Sequence, residues 1–137
     1  MKLFLDSSAL VKRYVEEAGS DNVIERCAHA DETAVCIVCV PEVISACNRL
    51  VREKKITRDQ YDWIKNEFIL DMGEFAVVDL TTEVIARSVE CLEKGSLRSL
   101  DALHVAAAVE YGCDLFLTGD VRQKGIAIAL GLNIETV

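Results

Sequence analysis

Short, uninterrupted apolar runs alternate along this chain with longer stretches in which apolar residues recur every three or four positions. The short runs predict strands buried on both faces, and the longer stretches predict helices with one face toward a core. Five runs read as strands: Leu3-Phe4-Leu5, Thr33 to Val38, Phe75 to Asp79, Asp114 to Thr118 and Leu132 to Glu135. Helices fill the intervals. Ser7 and Ser8 offer N-cap hydroxyls for a helix that begins near Ala9. Gly19 ends that helix, and Ser20 or Asp21 caps a second that runs through Val23, Ile24 and Cys27 to Ala30. Pro41, tolerated at a first helical position, opens a third with Val43, Ile44, Ala46, Cys47, Leu50 and Val51 on its apolar side. Thr57 caps a fourth, with Tyr61, Ile64, Phe68 and Met72 in line and Trp63 and Leu70 beside them. Thr81 caps a fifth that reaches Glu93 and stops at Gly95, a sixth spans Leu97 to Ala108, and a last one runs from Val121 to Leu130 before Gly131. Regular alternation of strand and helix predicts a parallel sheet covered on both faces, with right-handed crossovers.

Acids stand where strands give way to helices, which is where open α/β sheets keep their chemistry. Asp6 closes the first strand, and Asp120 follows the fourth after Thr118 and Gly119. If those two strands are neighbours, the two carboxylates face each other across a crevice. Glu42 lies in the first turn of the third helix, just after a strand, a place the helix dipole also favours for purely structural reasons. Asp101 is the strongest anomaly. Positions 97, 100, 101, 104, 105 and 108 share one helix face, and all are apolar or small except Asp101 and His104. A carboxylate on such a face costs several kcal/mol unless it is paired or metal-bound. Arg98, one turn earlier, is the available structural partner. His104 is expected to be a core histidine bonded to a backbone carbonyl rather than a ligand.

Composition narrows the picture. A chain of 137 residues suits one domain over 1–137 with no linker, and folding at this size buries roughly two-thirds of the unfolded surface. No apolar stretch of about 18 residues occurs, and Asp6 stands where a signal peptide would need its apolar region, so a cytoplasmic protein with no membrane partner is expected. Six cysteines are scattered at 27, 36, 39, 47, 91 and 113. Cys36 and Cys39 are the only close pair, and within the expected strand a three-residue separation points them to opposite faces, so all six read as small, reduced core residues rather than zinc ligands. The net charge of −8 argues against a surface that is one continuous nucleic-acid footprint. It leaves room for a nuclease, because divalent ions held by clustered carboxylates cancel part of that charge and themselves attract phosphate. The densest positive patch comprises Arg49, Arg52, Lys54, Lys55 and Arg58.

Four segments then carry a resemblance. They are Leu5 to Lys12, Pro41 to Val43, Arg98 to His104, and Leu117 to Gln123. Together, in this order and spacing, they resemble the PIN-domain ribonucleases, and in particular the VapC-type toxins of bacterial and archaeal toxin–antitoxin pairs. The resemblance implies a PIN-like three-layer α/β/α fold whose five-stranded parallel sheet has the order 3-2-1-4-5. It implies an acidic pocket of Asp6, Glu42, Asp101 and Asp120, supported by Thr118 and by Ser7 or Ser8. It also implies a cognate antitoxin protein as partner and a homodimer, for which the wide apolar stripe between residues 61 and 72 offers a surface.

The chemistry follows from the residue types. Two like charges ~4 Å apart repel by roughly 4 kcal/mol at a near-surface dielectric, so four converging carboxylates need cations to stay ionised. Hard oxygen ligands suit Mg²⁺ or Mn²⁺, as one or two ions, and such ions activate water and stabilise the leaving oxygen in phosphodiester hydrolysis. The expected activity is metal-dependent endonucleolytic cleavage of single-stranded RNA, with Asp6 and Asp101 as main ligands and Glu42 and Asp120 completing the site. Arg13, Arg49, Arg52, Arg98 and Arg122 are the candidates to guide RNA. Three other readings compete. A receiver-like signalling domain also binds Mg²⁺ in an acidic pocket, but Asp6 is followed by serines rather than a second acid and the chain stops after the fifth strand. A haloacid-dehalogenase-like phosphatase would need an aspartate at the position of Ser8. A catalytically silent partner-binding module is disfavoured by the intact acidic set.

Overall fold

The first strand, β1 (Lys2–Leu5), is the middle of the sheet in a computed structural model that describes all of residues 1–137. Its partners are β2 (Glu32–Cys36) on one side and β4 (Leu115–Thr118) on the other, with β3 (Ala76–Val78) and β5 (Ile134–Thr136) at the edges. The order is β3-β2-β1-β4-β5, and every pairing is parallel. The register sets Leu3, Phe4 and Leu5 beside Leu115, Phe116 and Leu117. Successive strands are added on one side of β1 up to β3 and on its other side from β4, and this switch opens a crevice beyond the carboxyl ends of β1 and β4.

Alternation along β1 divides the core in two. Leu3 and Leu5 point to one face, with Val35, Leu115 and Leu117, and Phe4 points to the other, with Ala34, Cys36 and Phe116. Over the first face lie α1 (Ser7–Tyr14), α2 (Ser20–His29), α3 (Cys39–Arg52) and α4 (Arg58–Glu74), which contribute Leu10, Val23, Val43, Cys47 and Phe68. Over the second lie α5 (Thr82–Lys94), α6 (Ser99–Tyr111) and α7 (Lys124–Ala129), which contribute Val84, Cys91, Val105 and Ala127. The three-layer arrangement and the strand order match the expectation. All six cysteines are free thiols, and four of them are fully buried. No helix is long and apolar enough to cross a membrane.

Boundaries moved where local chemistry outranked pattern. The helix after β1 starts at Ser7 rather than Ala9, because Asp6 and not a serine is its N-cap and accepts from the Ala9 N–H. The second strand stops at Cys36, and α3 begins at Cys39, two residues before Pro41. Thr57 caps α4 through a reciprocal box with Gln60. The single helix expected from Val121 splits into one 3-10 turn, Val121–Gln123, and the short α7. Ile24, expected on the inner side of α2, is exposed, as are Trp63, Ile69 and Leu70 on α4, whereas Tyr61, Ile64 and Phe68 of α4 are buried.

A polar clip joins α1 to α4. Arg13 Nε donates to Asp71 Oδ2 at 2.7 Å, and the Tyr14 hydroxyl donates to the same oxygen at 2.7 Å. The Tyr14 ring meets Phe68 edge-on at 5.7 Å between centroids. Hydrogen bonding to Asp71 raises the Arg13 guanidinium further above its usual range, and burial followed by the Asp71 bond raises the Tyr14 phenol, so both donors stay protonated. Arg13 is thus tied to α4 through Asp71. Asp71→Ala leaves two donors without their acceptor and should cost about 1–3 kcal/mol, discounted because Arg13 can turn to solvent. Urea unfolding with an unchanged denaturant slope checks this.

Candidate active site

Asp6 reaches the crevice as the N-cap of α1, with its backbone N–H tied to the Leu117 carbonyl at 3.1 Å. The side chain is 1 % exposed and saturated with donors. Ser8 Oγ and the Ala9 N–H donate to Oδ1 at 2.6 and 2.8 Å, while Thr118 Oγ1 and Gln123 Nε2 donate to Oδ2. Asp101 enters from the first turn of α6 and accepts from the same Gln123 nitrogen at 3.2 Å, so one amide joins two carboxylates from opposite ends of the chain. Gln123, not Arg98, is the partner Asp101 needed.

The other two acids flank this pair, each with a partner of its own. Glu42 Oε1 accepts from Ser7 Oγ at 2.8 Å and from His104 Nε2 at 2.6 Å. His104 is buried, its Nε2 also lies 3.1 Å from Ser7 Oγ, and its Nδ1 meets no hydrogen-bonding partner. The histidine was expected on a backbone carbonyl. It holds a carboxylate instead, because Glu42 reaches it from the start of α3, on the other face of the sheet, a position the α6 pattern does not reveal. Asp120 accepts from the Arg122 N–H at 2.9 Å and from its guanidinium in a forked pair. The sequence-derived set therefore meets in one crevice, as a central pair with two flankers rather than as a symmetrical square. No three acid, histidine or cysteine side chains stand close enough to form an all-protein metal cage.

The charges are felt across the crevice. Burial, then the charges of Asp120 and Asp6 and, more weakly, Glu42, push the Asp101 carboxyl above the usual aspartate range. Burial also pushes Glu42 upward, but the His104 bond and charge and the Ser7 hydroxyl outweigh it and leave the group below its usual value. Arg122 holds Asp120 below its usual value. Asp101 thus carries an unrelieved negative potential, which a divalent cation would discharge. Mg²⁺ keeps several waters and takes one or two carboxylates plus substrate phosphate oxygens, so the sparse pair Asp6 and Asp101 fits it.

Walls of the crevice are polar and cationic. A groove runs past Ser7, Ser8, Lys12, Glu42, Arg49, Arg98, Gly119 and Arg122, and a second depression shares Glu42, Arg49 and Arg98 with it and extends to Arg52. Gly119 keeps the groove open to Ser8 and Lys12: a Cβ there would lie 3.1 Å from Ser8 Oγ and 3.2 Å from Lys12 Cε, while its N–H donates to Ser8 Oγ. Lys12 Nζ donates to the Ala18 carbonyl at 2.7 Å and so lines the wall from a fixed position. Lys12 and Gln123 close two of the four family-like segments, but neither had a role of its own in the sequence. Gln123 carries no charge to mark it, and its signal was its place at the end of the Leu117–Gln123 segment, three residues after Asp120.

The fold and this crevice define a class: a doubly covered parallel α/β domain with paired carboxylates at its switch point. The PIN domain family model matches residues 3–129, and the chain belongs to that family. No curated protein matches it in sequence. Solved structures resemble it throughout their length at low identity. VapBC2 from Rickettsia felis, bound to a DNA fragment from its promoter, is 11 % identical with a TM-score of 0.70, over 100 % of this chain and 99 % of that one. DNA-bound VapBC from Salmonella typhimurium is 15 % identical with a TM-score of 0.70, covering 99 % and 98 %. VapC20 of Mycobacterium tuberculosis, a sarcin-ricin loop cleaving toxin, is 15 % identical with a TM-score of 0.69, covering 95 % of each chain.

Proposed function

We propose that this protein is a Mg²⁺- or Mn²⁺-dependent endoribonuclease acting on single-stranded RNA, and the toxin of a VapBC-type pair. The observation that carries the reading is the convergence of Asp6 and Asp101 on a single amide, in a crevice where burial and then the charges of Asp120 and Asp6 raise the Asp101 carboxyl. Membership of the PIN family and the likeness to VapC toxins support the same reading.

Asp6 and Asp101 would hold the cation, which when bound polarises the phosphodiester and lowers the pKa of an attacking water. Ser8, Thr118 and the Ala9 N–H fix the Asp6 carboxylate in one orientation, so its position is set before substrate arrives. Glu42, pinned by His104 and Ser7 and held ionised, stands at the α3 side of the crevice as an acceptor for a proton from water. Asp120 at the rim carries its own counter-ion in Arg122, and it orients that guanidinium at the groove mouth. Arg49, Arg52 and Arg98 line the groove on the α3 side, where they can neutralise phosphates that flank the scissile one. An antitoxin segment would compete for this groove, and the exposed Trp63, Ile69 and Leu70 would serve a homodimer or the antitoxin.

The test is incubation of the purified protein with single-stranded RNA and Mg²⁺ or Mn²⁺. Internal cleavage that stops with EDTA and returns with added metal supports the proposal; cleavage indifferent to chelation, or none with either ion, overturns it. Arg49→Ala and Arg98→Ala should each weaken RNA binding about 3- to 10-fold and lower the salt slope by about 0.7 per lost contact, measured by fluorescence anisotropy across salt concentrations. A small upstream reading frame with a DNA-binding amino terminus, whose product co-purifies with this chain, would support the toxin role.

A further inference from the structure

Gln123 ends the 3-10 turn after Asp120 and is 1 % exposed. Its Nε2 lies 3.1 Å from Asp6 Oδ2 and 3.2 Å from Asp101 Oδ1, and Asp101 has no other hydrogen-bond donor. Charge dictates which way the amide faces, since a carbonyl oxygen aimed at two carboxylates would be repelled by both. The cost appears on the opposite side, where Oε1 is buried without a partner. An unpaired buried carbonyl is tolerated only when the nitrogen meets a stronger demand.

The arrangement around Asp6 sharpens this. A carboxylate offers about four lone-pair sites, and four protein donors fill them. Three of those donors belong to the strand-end and helix-cap scaffold and meet no carboxylate other than that of Asp6: Ser8, the Ala9 N–H and Thr118. Only the fourth lies between Asp6 and Asp101, and its 3.1 Å bond is longer than those of Ser8 and Ala9, at 2.6 and 2.8 Å. A cation held by both acids would compete with that nitrogen for them.

We propose that Gln123 is a built-in placeholder for the divalent ion: its amide N–H groups occupy the bridging position between Asp6 and Asp101, offset the repulsion of the pair in the ion-free protein, and are displaced when the ion binds. Gln123 is a positioning residue with two opposed effects. It stabilises the ion-free fold, and it lowers ion affinity by the same free energy. The inference rests on the assignment of Asp6 and Asp101 as the ion site made above.

Gln123→Met keeps the length of the side chain without its donor, and Gln123→Leu keeps an apolar body of similar size. Both are compared with the parent and with Asp101→Asn in a titration with Mn²⁺, in which free Mn²⁺ is followed by electron paramagnetic resonance. Melting is also recorded in EDTA and in saturating Mn²⁺. The expected result is Mn²⁺ bound about tenfold more tightly by both Gln123 variants, as follows from removing a hydrogen bond to charged groups that only the ion-free state makes. Their melting temperatures then fall below the parent more in EDTA than in Mn²⁺. Unchanged affinity with equal destabilisation in both conditions would reduce Gln123 to a core filler and overturn the proposal, as would weaker Mn²⁺ binding. Equal Mn²⁺ binding by parent and Asp101→Asn would instead remove the ion site itself, and with it both this inference and the assignment beneath it.

Discussion

Asp6→Asn is expected to lower RNA cleavage by about 10³-fold or more, the largest effect of any single substitution in this chain. Asp6 is the one acid with four protein donors, so its orientation is fixed and its charge cannot be replaced by a neighbour that swings in. Asparagine keeps one acceptor oxygen and turns an NH₂ toward donors that had an acceptor before. Stability should fall by about 2–3 kcal/mol, seen as a melting temperature roughly 5–10 °C lower, because the amide can keep the helix cap but turns an NH₂ against Thr118 and Gln123 in a buried network. Cleavage assayed well below that temperature separates chemistry from folding. Residual activity within tenfold of the parent, in protein that is folded by circular dichroism, would remove Asp6 from the chemistry.

Asp101→Asn should also abolish most activity, by about 10²- to 10³-fold, while making the ion-free protein more stable rather than less. The sign follows from the raised carboxyl. A group whose folded pKa lies above its unfolded value contributes stability that is fully present below the unfolded value of 3.8 and is lost as pH rises through the folded one. At neutral pH the ionised side chain is therefore a net burden on the fold, and the amide removes it while still accepting from Gln123. In EDTA at pH 7 the variant should melt about 2 °C above the parent, a modest figure because the side chain is only partly buried. The advantage should vanish below about pH 3.8. Saturating Mn²⁺ should stabilise the parent and leave the variant unmoved. An Asp101→Asn protein less stable than the parent at neutral pH would contradict the charge distribution in the crevice.

The acids were legible in the sequence for two different reasons. Asp6 and Asp120 were marked by position, at the carboxyl ends of apolar runs that pair as neighbours once folded. Asp101 was marked by contrast, as a charge in a helix that is otherwise buried over Ala102 and from His104 to Ala108. Their partners were not legible. Arg98 is close to Asp101 along the helix, and proximity in sequence suggested the pair, yet the donor came from residue 123. Arg13 and Arg122 looked like free cations because nothing local distinguishes an arginine held by Asp71 across two helices, or one chelated by Asp120, from an arginine in solvent. His104 was expected to seek a backbone carbonyl because α6 alone offers nothing better, and Glu42 approaches it from α3.

By itself the sequence determined the order and kind of the elements, the parallel sheet, and the four acids that reach one edge of it. Period and turn chemistry are local properties, readable from a few neighbouring residues. Only the tertiary structure decided how those acids are divided. It joined Asp6 to Asp101 through Gln123, gave Glu42 to His104 and Asp120 to Arg122, and left Asp101 half-buried beside acids that keep their charge. Hydrogen bonds and Coulomb forces act over a few ångströms of space with no regard to chain separation, so which donor satisfies which acid is settled only when the strands and helices have packed.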